Sequence, residues 1–303
     1  MPNTLTNTDP EIIVQEVFPA FKAGLAPVNA FSTSFAAESA QKGASIQVPV
    51  ITAKTANAGA FTSYEDGNTT IVGTQVTLAT HARSFSHMTD TEAGKTPVKA
   101  MMAMATEDAY AVGMSVFQGV IGLIVLGTFG DAEATSKLTV TAANFDADDV
   151  ATMLTYLKKR NALGAQSLIL DLDYAGALMK DNAIQNASAL GSPEMIRDGA
   201  IGRLLGASVY ETNGFPTALT NENTGAIVVV PSAIAVAIRP IAPQDGAGQA
   251  GLEYATATDP DTGLTLGYRR FYNTATGTLW QGFEVLYGAT AVQTAGAVRC
   301  VSS

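Results

Sequence analysis

The sequence predicts an α+β fold, and three observations predict it. Residues 146–240 alternate short helical and strand patterns, residues 265–301 read as strands alone, and one long helical pattern begins at Thr96-Pro97. At 303 residues with 47% apolar side chains, the chain can bury a sizeable core as one large or two modest domains. Aromatics are 7% and charged residues 15%, while Ala, Gly and Thr are abundant. That composition favours close backbone packing over bulky anchors and suits extended, repeated interfaces.

Residues 1–35 read as an arm of short helical turns, because Pro10, Pro19 and Pro27 block a long regular element. Phe18, Phe21, Phe31 and Phe35 then need a surface, either this chain's core or a neighbour's. The first 14 residues lack the basic and apolar regions of a secretory signal, so export is not expected.

Residues 44–50 alternate, with Ile46, Val48 and Val50 on one face, and residues 74–81 repeat the pattern with Val76 and Leu78. Between them lies a polar, turn-rich span containing Asn57, Gly59, Glu65, Asp66, Gly67 and Asn68. This is a long hairpin whose tip has no core of its own. A lone hairpin is marginal in water, so it is expected to lie on an adjacent subunit.

Thr96-Pro97 starts a helix, with Thr as N-cap and Pro at the first helical position. Val98, Met102, Ala105, Ala109, Val112, Val116 and Leu123 recur at helical spacing, with Glu107 opposite. Met101, Met102, Met104 and Met114 fit a pliable groove or gap-filling in a core, and gap-filling is the commoner role. Residues 109–130 carry no charge over a length that could cross a bilayer. Against a membrane span stand Ser115, Gln118, several glycines, flanking Glu107, Asp108, Asp131 and Glu133, and no Lys/Arg asymmetry. The other reading is a helix buried at its C-terminal end, followed by a strand.

Asp146 can cap a second helix, with acids in its first turn and Gly164 as its stop after Leu163. Lys158, Lys159 and Arg160 are the one basic cluster and fall in that helix's last turn, where cations favour the negative end of the dipole. A short strand at 168–170, a helix at 174–180 and a loop to Asp198 follow. Residues 240–251 are a flexible connection by composition, and strands at 265–272, 278–286 and 297–301 close the chain, with turns at 259–263 and Thr276-Gly277.

Little in the chain promises catalysis. His81 and His87 are too few and wrongly spaced for a helical zinc pair. Asp259, Asp261 and Gly263 echo a calcium loop but lack its other ligands, and a plain turn explains them. Asp171 and Asp173 end a strand, the usual place for catalytic carboxylates, yet helix capping accounts for them equally and no base, nucleophile or phosphate loop accompanies them. Gly199, Gly202 and Gly206 do not open a dinucleotide-binding unit. Cys300 is the one cysteine, so no intramolecular disulfide forms, and a buried, inert thiol is expected. No cofactor or metal site is expected. A net charge of −10 excludes a groove that neutralises nucleic-acid phosphates.

Residues 198–240, DGAIGRLLGASVYETNGFPTALTNENTGAIVVVPSAIAVAIRP, pass from a glycine-punctuated turn into an apolar strand, an Asn-Gly-Phe-Pro break, a second strand at 226–230 and a small-residue helix at 231–237. This unit resembles the axial domain of tailed-phage major capsid proteins of the HK97 type. In order of elements the likeness covers nearly the whole chain, and it is strongest over residues 146–240.

The resemblance implies an N-terminal arm at 1–35, an extended β-hairpin loop at 36–90, and a discontinuous peripheral domain with a long spine helix at 91–145 and 241–303. The axial domain is then 146–240. It implies self-assembly into an icosahedral head shell of pentamers and hexamers enclosing double-stranded DNA without sequence-specific binding. An acidic wall suits such a container, since it repels the duplex. A portal protein and separate scaffolding or decoration proteins are implied partners, with assembly in the host cytoplasm and no membrane. No long charged helical segment precedes the arm, so a fused scaffold is not expected.

Candidate inter-subunit contacts are Phe18 and Phe21 in the arm, Ile46, Val48, Lys54, Glu65, Asp66 and Val76 in the hairpin, and Arg203 and Phe215 in the axial domain. Some relatives link a loop lysine covalently to a neighbour's asparagine. Lys54 lies in the matching element, but no partner asparagine is identifiable, and only a contact is expected of it. An encapsulin-type compartment shares the fold. A membrane protein spanning 109–130 and a soluble enzyme using Asp171 and Asp173 are the other readings.

Overall fold

The computed structural model describes residues 10–33, 45–51, 71–162, 164–181, 184, 202–215, 223–241, 252–259 and 263–302. Two sheets and a projecting hairpin organise them.

The chain enters through helix α1 (Pro10–Leu25), which buries Ile13, Val14, Val17, Phe21 and Leu25 on one face. This corrects the broken arm expected from the prolines. Pro10 stands at the first helical residue, where a missing N–H is harmless, and Pro27 falls in the short 3₁₀ turn that follows. Only Pro19 interrupts the helix, at a cost of about 3 kcal/mol. Each of the five buried side chains returns about 1.5–3 kcal/mol, so packing outweighs propensity.

Strands β1 (Ser45–Ile51) and β2 (Ile71–Thr77) pair antiparallel with Ile46 opposite Val76, and Ile46, Val48, Val76 and Leu78 share one buried face. After β3 (Thr80–Thr89), helix α2 (Asp90–Ala93) is closed by a capping box between Thr89 and Glu92. Helix α3 (Val98–Ile121) begins one residue later than its sequence signal suggested. Pro97 takes the extended N-cap conformation, and the Thr96 hydroxyl donates instead to the Glu92 carbonyl at 2.7 Å.

Helices α1 and α3 pack together through two glycines. A Cβ at Gly24 would stand 2.8 Å from the Tyr110 carbonyl oxygen, and one at Gly113 would stand 2.7 Å from the Phe21 carbonyl oxygen. Either side chain would push the helices apart. The uncharged stretch after Ala109 ends as a short helix α4 (Leu126–Phe129), not as a strand, and Val116, Phe117, Val120, Ile121 and Ile124 are fully buried in the core. No helix among the described residues is long and apolar enough to cross a membrane.

Strand β4 (Lys137–Thr139) precedes α5 (Ala147–Lys159), which Asp146 caps by accepting from the Asp149 N–H at 3.0 Å. The helix stops four residues before Leu163. Asn161 takes φ +56°, its N–H reaches the Lys158 carbonyl, and the Ala162 N–H reaches Leu157. That pair of bonds satisfies the terminal carbonyls before Gly164 is reached.

Strand β5 (Ser167–Asp171) and helix α6 (Leu172–Lys180) follow, then β6 (Arg203–Leu204), β7 (Ala207–Thr212) and β8 (Asn223–Val229). Residues 231–237 correct the helix expectation. A single 3₁₀ turn leads into β9 (Ile234–Arg239), fully buried, with Ile234, Val236 and Ile238 facing one core and Ala235 and Ala237 the hairpin. Branched residues at period two decide for a strand where the alanines alone suggested a helix.

Strands β10 (Leu252–Thr258), β11 (Thr265–Asn273), β12 (Thr278–Ala291) and β13 (Ala297–Ser302) complete the chain. One sheet has the order β10-β11-β12-β3, with β9 also pairing to β12; the other runs β4-β13-β8-β5-β7-β6. The borders drawn from sequence therefore do not follow the sheets. β3 joins the five-stranded sheet although it lies before residue 91, β9 joins it although it lies before 241, and β13 joins the six-stranded sheet although it lies after 241.

Helices α1 and α3 cover one face of the five-stranded sheet, and that core continues to Ile169, Ile227, Val229 and Ala297 beneath the six-stranded sheet. The other face of the six-stranded sheet packs on α5 and α6. Burial on both faces explains why β8 and β9 read as unbroken apolar runs.

Candidate assembly interface

The residues that could carry chemistry are committed to structure. Asp171 is the N-cap of α6 and accepts from the Asp173 N–H at 3.4 Å. Both acids border a cleft of about 320 Å³ that no histidine, lysine or cysteine lines among the described residues. Tyr174 beside them donates to the Val140 carbonyl at 2.8 Å, and burial holds its hydroxyl protonated well above the ordinary range. Among the described residues no group of three His, Cys, Asp or Glu side chains could hold a metal ion.

Asp259 is 2% exposed and pairs with Lys22 at 3.0 Å, fastening α1 to the end of β10; Asp261 lies outside the described residues. Burial pushes the Cys300 thiol up to about 12, which makes it unreactive in the folded chain.

The assembly candidates divide in four. Phe21, Ile46, Val48 and Val76 are at most 5% exposed within their own chain, so none offers apolar surface to a neighbour. The hairpin base is held down by Ala235, Ala237 and Leu286 of its own body, and it therefore has more of a core than its sequence implied. Phe18 and Phe215 are half-buried, Phe18 at 5.8 Å from the Phe21 ring and Phe215 edge-on to Phe117 at 6.3 Å. Arg203 is exposed in β6, at the outer edge of its sheet, and donates to the Gly206 carbonyl at 3.3 Å. Lys54, Glu65 and Asp66 lie outside the described residues.

The β6–β7 turn adds Leu205, which sequence reasoning passed over. It holds φ +50° and is 52% exposed. A bulky residue in the left-handed region costs about 1–2 kcal/mol, and here about half of the residue stays exposed within its own chain.

A second feature missed from sequence occupies the face of the five-stranded sheet opposite the helices. The Trp280 ring stacks on His87 at 4.6 Å and lies parallel to Phe271 at 6.2 Å, with Phe85 6.5 Å beyond Phe271. Beside this stack the Glu284 carboxylate, 4% exposed, meets Arg269 at 2.8 Å and His81 Nε2 at 3.0 Å. Arg83 and all of these residues except His87 line an open cavity of about 530 Å³. The signal was present as period-two placement of His81, Arg83, Phe85 and His87, but its partners lie about 200 residues on, with His81 and Glu284 separated by 203.

Whole-chain comparison places this architecture. A chain from the structure of Mycobacterium phage Che8 superposes with a TM-score of 0.58 over 90% of this chain and 89% of its own, at 17% identity. The chain has a phage-capsid fold. Gordonia phage Cozz gives 0.57 at 15% identity over 92% and 86%, and the capsid of Cyanophage P-SCSP1u gives 0.55 at 12% identity over 88% and 85%. No protein-family model and no curated protein matches the sequence.

Proposed function

We propose that this protein is the major capsid protein of a tailed phage, a non-enzymatic subunit that self-assembles into the icosahedral head shell enclosing double-stranded DNA. The observation that carries the proposal is the likeness to phage capsid chains over about nine tenths of both partners, 90% and 89% for Che8. On this reading the fold is of the HK97 type. The β1–β2 hairpin is the extended loop, α3 the spine helix, the six-stranded sheet with α5 and α6 the axial domain, and the five-stranded sheet the body of the peripheral domain.

The mechanism is geometric. Six-stranded units meet around fivefold and sixfold axes through exposed edges such as β6 with Arg203 and Leu205, while hairpins cross onto neighbours. Interfaces of roughly 2,000–5,000 Å² in total are expected for an obligate assembly. The net charge of −10 keeps the wall from adhering to the duplex, so DNA is contained without being bound in sequence. A portal and separate scaffolding or decoration proteins complete a head of this kind, assembled in the host cytoplasm.

Cryo-electron microscopy of the purified protein, followed by nuclease digestion of particles from infected cells, tests the proposal. Closed shells with nuclease-protected DNA are expected. Closed shells that hold a protein cargo instead would move the protein to an encapsulin-type compartment, and absence of shells under all conditions would reject both.

A further inference from the structure

We propose that Asn213-Gly214 is a covalent modification site that the fold holds closed. Released from its packing, Asn213 loses its side-chain amide as ammonia to attack by the Gly214 main-chain nitrogen, and the Thr212 hydroxyl is the group that keeps the pair from reacting. The inference concerns the single chain and holds whether or not shells form.

The sequence sets the hazard. Asn213-Gly214 is the one Asn-Gly pair in 303 residues. Ring closure on an asparagine requires the next main-chain nitrogen to approach the side-chain carbonyl carbon, and a following glycine has no Cβ to obstruct that approach. Packing explains why the glycine is there. Its backbone stays outside the left-handed region, so space and not conformation calls for it. A Cβ at Gly214 would stand 2.5 Å from Met114 Cε and 2.9 Å from Phe117 Cδ1. Seating this break on α3 therefore forces the labile pair on the chain.

The same packing restrains it. The Gly214 N–H donates to Thr212 Oγ1 at 3.1 Å in a buried bond, and Thr212 is 8% exposed at the end of β7. A nitrogen held in this way is withheld from the Asn213 side chain. Phe215 fixes the far side, edge-on to Phe117 at 6.3 Å. Asn213 itself is exposed and lines an open cavity of about 290 Å³ with Tyr110, Leu172 and Glu211, so water reaches the amide while its attacker stays buried.

Local opening lets the reaction run with water as the only co-reactant. The Gly214 nitrogen gives its proton to water and bonds to Asn213 Cγ. The Cγ–Nδ2 bond breaks, and that nitrogen takes a proton from water and leaves as ammonia. The resulting succinimide adds water at either ring carbonyl and opens to aspartate or isoaspartate, with nothing oxidised or reduced. The isoaspartyl product carries one more main-chain carbon between the two residues and one more negative charge, so Gly214 and Phe215 no longer fit against α3.

Peptide mapping by mass spectrometry of the full chain tests the site. In mildly alkaline buffer the folded protein should deamidate at Asn213 at least about tenfold more slowly than the same chain unfolded in urea. Thr212→Val keeps the shape of the side chain and removes the acceptor, and it should speed the folded-state reaction about fivefold. Thr212→Ser keeps the hydroxyl and should react like the parent. If Thr212 acted by packing alone, the order of the two variants would reverse. Equal rates in the folded and unfolded parent, or a Thr212→Val chain no faster than Thr212→Ser, overturn the proposal. The comparison within the parent needs no variant and stands even if Thr212→Val fails to fold.

Discussion

In the six-stranded unit each helix carries its own end signal, whereas the long helix on the five-stranded sheet starts without one. Helix α5 opens on the Asp146 capping box and closes on Asn161, and α6 opens on Asp171. Helix α3 has no side-chain cap and is held by packing against α1, β3 and β12, including two 2.6 Å bonds from the Ser84 and Ser86 hydroxyls to the buried Asp108 carboxylate. The six-stranded unit draws its α5–β5–α6 core from contiguous sequence, and the five-stranded unit gathers β3, β9 and β10–β12 from three distant stretches. The difference teaches that the first unit is specified locally and the second by tertiary contact, so the two should respond differently to the same class of perturbation.

Core truncation should separate them most. Phe283→Ala removes a fully buried ring at the centre of the five-stranded sheet and is expected to cost about 3–5 kcal/mol, with α3 and α1 loosening together. Leu154→Ala in α5 should cost about 2–4 kcal/mol and leave hydrogen exchange in α3 nearly unchanged. Urea titration with exchange mass spectrometry reads both.

The junction between the units comes next. Arg160 closes α5 and donates to the carbonyls of Ala297 at 2.6 Å, Thr294 at 2.7 Å and Phe129 at 3.1 Å, tying α5 to the β12–β13 turn and the end of α4. Burial lowers its pKa without removing its charge at neutral pH. Arg160→Met should cost about 1–3 kcal/mol and split a single calorimetric transition into two.

Loss of a local signal has a smaller effect. Asp146→Ala should cost about 1 kcal/mol, visible as faster exchange confined to the first turn of α5.

The smallest effect is in pH dependence. Burial raises the Asp149 carboxyl above its usual range, opposed by the Asp146 N–H and helped by the like charges of Asp146 and Asp148. A folded pKa above the unfolded one means that stability falls as pH rises from about 4 through the folded value. Asp149→Asn should flatten that slope in denaturation curves taken upward from about pH 4.

The same contrast explains what could be read from the chain. The Ile46–Val76 face, the strand at 168–170, the helix at 174–180 and the Asp146 cap were legible because each rests on period or on a cap within a few residues. Helix α1 was not, since Pro19 is a local veto that only the buried face of Phe21 and its neighbours overrides. β9 was misread because alternating alanines conceal a period-two strand, and β13 was placed in the wrong sheet because periodicity says nothing of which strand becomes a neighbour. The β1–β2 hairpin was legible from its alternating strands. The Arg83, Phe271, Trp280 and Glu284 cluster was not, because its members meet only after the sheet has closed.

Sedimentation velocity on the purified chain tests the central claim most directly. The account predicts boundaries at the sizes of capsomers and closed shells, with little free 31.3 kDa species at concentrations that permit assembly. A single stable monomer across conditions, with residues 61–66 cross-linking only within their own chain, would contradict it.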